Sequence, residues 1–364
     1  MIKKKILITT GGTGGHIFPA IGLAKNLIEK DYDLRLTIDG RGLKYLDNSN
    51  KINFTKISSS PLEKKNFFTL IKSVFIICFS ITKSLFLLSL YRPKLVVGMG
   101  GYSSFPICFA ALILRIKFVI YENNLIIGKA NKFLSKFAEK IFVSYKDLEG
   151  IADKNKKKIV EVGNIIREEI INLNIKNNFN KKFDINNILI LGGSQGARVF
   201  ADKLPQIFKK IKDEKIPIKI FQQCHPDQKE KLSNFYNNEG IDYEIFDFTN
   251  KITYYYAQSN LVITRSGASA LGELINIKIP FIAIPLPTSA DNHQFKNAKF
   301  YEKRGLCFLL EEKNISKNLY ELINLIFKDN KKIKKITSNQ SQYSDKDVYN
   351  NLYFNIEKIL NEKN

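Results

Sequence analysis

The stretch ILITTGGTGGHIFPAIGLA, residues 6–24, decides the fold: an aliphatic run, a glycine-rich turn and the first turns of a helix. The run ILITT suits a strand buried in a sheet. Gly11, Gly12, Gly14 and Gly15 let backbone N–H groups approach a ligand closely and adopt positive φ, at the positive end of the helix that follows. An ordinary strand-to-helix turn uses the same residues, so this segment alone predicts an anion site with an unspecified occupant. The plan returns, altered, as ILILGGSQGARVF at 188–200, about half a chain length later. Two such units predict two nucleotide-fold domains. Neither loop meets G-x-G-x-x-G cleanly and G-x-x-x-x-G-K-[ST] is absent, which sets aside a dinucleotide dehydrogenase and a P-loop NTPase.

Outward from these loops, apolar runs alternate with helical stretches: KILITT, LRLTID, KLVVGM, KFVIYE and KIFVSY, then NILILG, PIKIFQ, DYEIFDF, LVITR and PFIAIP. This is the rhythm of parallel sheets in an α/β protein. A length of 364 residues provides for two cores. Between the series lies a polar Asn/Lys-rich tract at 172–187, and a boundary near Gly163 follows. The expected domains are 1–163 and 164–341, with 342–364 packing back on the first.

The formal charge of +22 invites a polyanion partner. Lysine, asparagine and isoleucine are abundant together almost everywhere, which reads as a spread compositional bias; no nucleic-acid partner is expected, while an anionic bilayer would still attract the surface. Four scattered cysteines, Cys78, Cys108, Cys224 and Cys307, suggest neither zinc nor disulfides. The start MIKKKILITTGG lacks signal-peptide architecture, so the protein is expected to stay in the cytosol. The segment NFFTLIKSVFIICFSITKSLFLLSLYRP, 66–93, is strongly apolar, but Lys72 and Lys83 interrupt it. A long amphipathic helix is expected, with part of its apolar surface on the N-terminal sheet and leftover Phe and Ile side chains available to a headgroup region.

His16 directly follows the first glycine turn, where a helix N-terminus favours the neutral imidazole near a bound oxyanion. LVVGMGGYSSFP, 95–106, supplies a second glycine turn with Gly100, Gly101, Tyr102 and Ser103 at its mouth, and VIYENN, 119–124, adds Glu122 and Asn124. In an open parallel sheet these loops share the ligand-binding edge. In the second half, LVITRSGASALGELI places Ser266, Gly267, Ala268 and Ser269 at a helix start, and Glu273 one turn further on is within reach of ribose hydroxyls. PLPTSADNHQFKNA, 285–298, adds Asp291, Asn292, His293 and Gln294, polar groups suited to sugar hydroxyls. His225, beside a loop proline, reads as exposed.

Taken together, GGTGGH-x-x-P, GMGGY-x-S-x-P, the E-x-N of YENN, GN-x-x-R at 163–167, GGSQGAR, RSGA-x-x-x-x-E and D-x-x-Q resemble the MurG glycosyltransferases, in order from about Ile6 to Ala298. The resemblance implies a GT-B fold, two Rossmann-like domains with parallel sheets separated by a cleft. It implies transfer of N-acetylglucosamine from UDP-GlcNAc to the 4-hydroxyl of MurNAc in undecaprenyl-diphosphate-MurNAc-pentapeptide (lipid I), giving lipid II, by an inverting enzyme peripheral to the cytoplasmic face of the plasma membrane. Cell-wall synthesis proteins are then possible partners, and neither cofactor nor metal is expected.

Carried over, Thr13, Gly14 and Gly15 border the donor sugar and acceptor diphosphate, with Tyr102 beside them and Asn124 on GlcNAc hydroxyls. Arg167 and Ser194 serve the nucleotide, and backbone near Thr249 reads uracil. The amides from Ala268 through Ser269 and Ala270 to Leu271 hold phosphate, with Gly272 in the same turn; Glu273 binds ribose and Gln294 binds GlcNAc. His16 is the candidate base or diphosphate ligand, and Glu122 its rival. Tyr121, Asn123 and His293 depart from the residues common in the family at those positions. Competing readings are a GT-B transferase with another lipid acceptor and a non-catalytic nucleotide-sugar-binding membrane scaffold.

Overall fold

The computed structural model describes residues 3–46, 52–59, 66–173, 186–193, 198–249 and 251–362. The chain divides into two compact units, Met1–Arg167 with Asp345–Asn364, and Glu168–Ser344. The expected boundaries at 163 and 341 thus shift to 167 and 344. The reason is visible in the hydrogen bonds of the connecting segment. Ile165 N donates to the Tyr121 hydroxyl at 3.0 Å, and Asn164 donates to Asp345 through N (2.8 Å) and Nδ2 (2.9 Å). The Tyr349 hydroxyl donates to Ile166 O at 2.8 Å, and the Arg167 guanidinium lies over the Phe18 ring.

In the first unit β1 (Lys5–Thr10), β2 (Asp33–Ile38), β3 (Phe54–Lys56), β4 (Leu95–Gly98), β5 (Phe118–Glu122), β6 (Ile141–Val143) and β7 (Ile159–Glu161) form one parallel sheet in the order β3-β2-β1-β4-β5-β6-β7. Ile8 of β1 pairs with Leu36 on one side and Val97 on the other. Ile6, Leu7, Ile8, Val96, Val97, Val119 and Ile120 are all fully buried, as expected of strands covered on both faces. The helix Val348–Asn361 sets Val348, Leu352, Ile356 and Ile359 inward at helical spacing, and its Glu357 meets Lys4 and the Tyr32 hydroxyl, so the chain end belongs to this unit.

The second unit repeats the plan with β8 (Asn186–Leu191), β9 (Ile218–Gln223), β10 (Asp242–Phe246), β11 (Leu261–Thr264), β12 (Phe281–Ala283) and β13 (Phe308–Leu309), all parallel in the order β10-β9-β8-β11-β12-β13. The helix Arg198–Asp213 is conventionally amphipathic: Phe200, Leu204, Ile207, Phe208 and Ile211 are buried against the sheet. Strands β3, β7 and β13 lie at sheet edges and have three residues or fewer, too few for a period to be read. Residues 174–185 of the polar tract lie outside the described residues.

The apolar segment forms one helix, Phe67–Tyr91, long and apolar enough by length and composition to cross a membrane. Its packing follows the expected division, with Leu88 and Tyr91 in the core beside the N-terminal sheet and Phe and Ile side chains left outward, and adds serines on the inward face. Ser73, Ser80 and Ser84 face inward, each hydroxyl donating to a carbonyl (Thr69 O, Ser58 O and Ser80 O), and only toward the C-terminal end do Leu88 and Tyr91 enter the core. The opposite face exposes Phe68, Ile71, Phe75, Phe79, Phe86 and Leu90. Small serines allow close approach to the helix Gly101–Ile113, which leaves the bulky residues no inner surface to occupy.

Candidate functional site

In the first sheet the connections change direction at β1: β2 and β3 lie on one side, β4 to β7 on the other. Loops leaving β1 and β4 therefore splay apart beyond the carboxyl ends, which is where open α/β sheets bind ligands. His16 sits at this point. A Cβ on Gly100 would come within 3.2 Å of its Cε1 and Nδ1, and Gly100 has φ 86°, so glycine is required for the imidazole to lie against the second loop. Gly11 is required by a closer approach, since its Cβ would fall 2.3 Å from Ser103 Oγ. Thr13 is exposed at the N-cap of the helix Gly14–Glu29, and its carbonyl accepts from His16 N at 3.0 Å. Tyr102 is exposed at the start of the neighbouring helix Gly101–Ile113.

Pro19 explains how the third loop joins. Lacking an N–H, it leaves the carbonyl four residues back, Gly15 O, without its helical donor, and Asn123 Nδ2 donates there at 3.2 Å. Asn123, which replaces the residue common in the family, thus ties the loop after β5 to the first glycine loop. Tyr121 is likewise structural: buried, with its hydroxyl 3.0 Å from Ser144 Oγ, it has its ionisation pushed up by burial.

The two catalytic candidates are held differently. Glu122 is buried and accepts four hydrogen bonds, Oε1 from Asn124 N (3.1 Å) and Nδ2 (3.0 Å), Oε2 from Gly128 N (3.0 Å) and Asn131 Nδ2 (3.0 Å). A carboxylate has about four acceptor positions. Glu122 is therefore the hub that shapes its own loop, and Asn124 is held by it. His16 is half-buried at the crevice.

Asp39, at the end of β2, escaped the sequence reading. Its buried carboxylate accepts from Gly12 N (3.0 Å) and Gly42 N (3.1 Å) through Oδ1, and from Ser103 Oγ (2.9 Å), Arg41 Nε (2.9 Å) and Arg41 Nη2 (2.6 Å) through Oδ2. Burial pushes the carboxyl up, but the Gly12 amide, Arg41 and Ser103 outweigh it and hold Asp39 below the usual carboxylate range. The signal was an acid closing the second strand, LRLTID, the place where nucleotide folds put a ribose-binding acid; here it grips the glycine loop instead.

The second sheet changes direction at β8, and its loops leave β8 and β11. Gly193, φ 79°, turns the first of these; Ser194 lies outside the described residues. After β11, Gln294 Oε1 accepts from Ser266 N (3.2 Å) and Leu286 N (3.0 Å), so its side-chain oxygen ties two loops and only its NH2 is left for a ligand. Arg265, also missed from sequence, is 8% exposed; it donates to Ile284 O (3.3 Å) and Pro285 O (3.2 Å), pairs with Glu312 and lies over the Phe200 ring. Ser266 Oγ is buried without a hydrogen-bond partner among the described residues.

The helix Ala268–Ile277 begins after Gly267. Leu271 N donates to Gly267 O at 3.1 Å and closes the first turn, so the amides of Ala268, Ser269 and Ala270 precede that bond. Gly272 is buried further along, its carbonyl accepting from Asn276 Nδ2. Glu273 is buried and accepts from the Tyr256 hydroxyl at 3.1 Å, which links it to the helix Ile252–Gln258. Thr249 precedes that helix, its Oγ1 accepting from Lys251 N. His293 is half-buried, Nδ1 2.7 Å from Ala290 O, after Asp291 and Asn292 in left-handed conformation. Arg167 belongs with the first unit, not the second where the boundary at 163 had put it.

Residues 6–143 match the glycosyltransferase family 28 N-terminal domain and 187–352 the glycosyltransferase family 28 C-terminal domain. A relative from Pelagibacter ubique, 37% identical over 99% of this chain and 100% of its own length, is a UDP-N-acetylglucosamine–N-acetylmuramyl-(pentapeptide) pyrophosphoryl-undecaprenol N-acetylglucosamine transferase. The chain belongs to the MurG family of glycosyltransferases. A second MurG-family relative, from Rickettsia canadensis, is 38% identical over 86% of this chain and 87% of its own. The crystal structure of Acinetobacter baumannii MurG superposes with a TM-score of 0.79 at 22% identity, covering 98% of this chain and 99% of that one. The fold class is the MurG one, two Rossmann-like units with parallel sheets, and the activity class is N-acetylglucosaminyl transfer.

Proposed function

We propose that the protein transfers GlcNAc from UDP-GlcNAc to the 4-hydroxyl of MurNAc in lipid I, giving lipid II and UDP. The observation that carries this reading is the near-full-length identity to MurG transferases, joined to two anion-ready strand–loop–helix units of which only the first carries a histidine. The acceptor oxygen attacks the anomeric carbon as the bond to the UDP phosphate breaks, so the linkage inverts in a single displacement. His16 takes the hydroxyl proton, a role its place between the loops after β1 and β4 favours over the four-fold engaged Glu122. Charge developing on the departing phosphate is met by the N-terminal amides of the helix Ala268–Ile277, without a metal in this step. Glu273, held by Tyr256, takes the ribose, and the Gln294 NH2 takes a GlcNAc hydroxyl.

A peripheral site at the cytoplasmic membrane face is part of the same reading. Besides the outward face of the helix Phe67–Tyr91, the same unit carries a cluster of Phe105, Phe109, Phe133 and Phe137, whose rings lie 5.6–6.2 Å from their neighbours, with Phe133 and Phe137 exposed and Lys136 over Phe133. Aromatic side chains ringed by lysines suit an anionic interface.

Purified protein given UDP-GlcNAc with lipid I or diacylglycerol in vesicles tests the reading. Lipid II formation is expected; transfer to diacylglycerol with none to lipid I contradicts it.

A further inference from the structure

The first glycine loop is unusual for an anion site because one of its amides is already spent on an acid. Gly12 N donates to Asp39, and a phosphate brought to that point would meet a buried carboxylate. The neighbourhood answers this charge in two ways. Gly12 N, Gly42 N and Ser103 Oγ all donate to Asp39, and Ser59 Oγ lies 3.2 Å from Oδ2, so the carboxylate is satisfied largely by neutral donors. Arg41 then adds a full positive charge. Its Nε and Nη2 grip Oδ2, which fixes the guanidinium plane, while the Arg41 side chain is 56% exposed. An arginine has five N–H donors, and this grip uses two, leaving the Nη1 edge and the second Nη2 proton directed away from Asp39. Nη2 lies 3.7 Å from where a Cβ on Gly12 would stand, so this edge borders the loop itself.

We propose that Arg41, oriented by Asp39, binds the diphosphate of the lipid-linked acceptor at the first glycine loop, and that Asp39 is the positioning residue for both. This rests on the reading of that loop as the acceptor side. A two-pronged guanidinium suits a diphosphate better than a point charge does. Asp39 thus exchanges one backbone donor at Gly12 for a fixed side-chain fork.

The test uses the full chain and the variants Arg41→Gln and Arg41→Lys. In two-substrate kinetics Arg41→Gln raises the lipid I KM at least about tenfold, the expected loss of a hydrogen bond to a charged group, and leaves the UDP-GlcNAc KM within about twofold. Arg41→Lys, keeping the charge without the fork, recovers part of the loss. Independently of turnover, inorganic pyrophosphate binding is measured calorimetrically with UDP in excess to occupy the donor-side helix; Arg41→Gln weakens it by a similar factor. Unchanged acceptor KM and pyrophosphate affinity overturn the proposal while lipid II formation by the parent leaves the proposed function standing. Equal rises in both KM values overturn it too, because a merely structural Arg41 would disturb both substrates. A parent protein that binds pyrophosphate through Arg41 but makes no lipid II supports the anion site and removes the function on which its assignment to lipid I rests.

Discussion

The loop after β1 and the loop after β11 each lead from a buried parallel strand into a helix and are locked by opposite means. In the first, a buried carboxylate takes the Gly12 amide, and serine, arginine and asparagine side chains from three other segments fasten the loop. In the second, a neutral amide oxygen, Gln294 Oε1, takes the Ser266 amide, and the adjacent residue Arg265 is buried and turned to carbonyls and Glu312. Both loops lose one backbone donor to their own scaffold. The first compensates with an exposed guanidinium, while the second has the N-terminus of the helix Ala268–Ile277 as its source of positive potential. Two copies of one strand–loop–helix plan have thus become sites of different electrostatic make-up, as transfer between a nucleotide diphosphate and a lipid diphosphate requires.

The comparison breaks most decisively at His16, which has no counterpart in the sequence of the loops after β8 and β11. His16→Ala is expected to lower turnover by about a hundredfold or more with folding intact, measured as the rate of UDP release with lipid I; near-normal turnover removes it as the base. Next is the lock itself. Asp39→Ala removes the acceptor of Gly12 N, Gly42 N and the half-exposed Arg41, and should cost roughly 2 kcal/mol in denaturant unfolding, the scale of leaving a buried donor unsatisfied. Because Asp39 is held below the usual carboxylate range, its stabilisation is fully present above the unfolded value near pH 4 and is lost as pH falls through the lower folded value. Asp39→Asn should remove that acid dependence, and an unchanged pH profile would contradict the lock.

Smaller effects sharpen the contrast. Phe75→Ser with Phe79→Ser, on the exposed face of the helix Phe67–Tyr91, should weaken binding to anionic vesicles about tenfold in co-sedimentation, since each ring loses an apolar contact with lipid. Matching changes on the exposed face of the helix Arg198–Asp213 should do nothing, because its apolar residues are already buried against the second sheet.

Most of this architecture was legible because buried parallel strands announce themselves as aliphatic runs, as nine of the thirteen strands among the described residues did, while the edge strand β10 showed itself by alternating Asp242 and Glu244 with Tyr243 and Ile245. The loops were legible for a related reason: a glycine between strand and helix has few other uses. What escaped was side-chain partnership across long sequence distance. Nothing local in LRLTID told that Asp39 would reach Gly12 and Ser103, nor in VITRSG that Arg265 would face Glu312. The division of Phe67–Tyr91 into a core-packed end and an outward Phe and Ile face was legible in its length and apolarity, whereas its inward serines were not, because close approach to a neighbouring helix selects them.

The division of substrates between the two loops is tested most directly by two-substrate kinetics on Asp39→Asn and Gln294→Ala side by side. The account predicts a crossed pattern: Asp39→Asn raises the lipid I KM and spares that of UDP-GlcNAc, while Gln294→Ala raises the UDP-GlcNAc KM about tenfold and spares that of lipid I. The same substrate affected in both variants would contradict it.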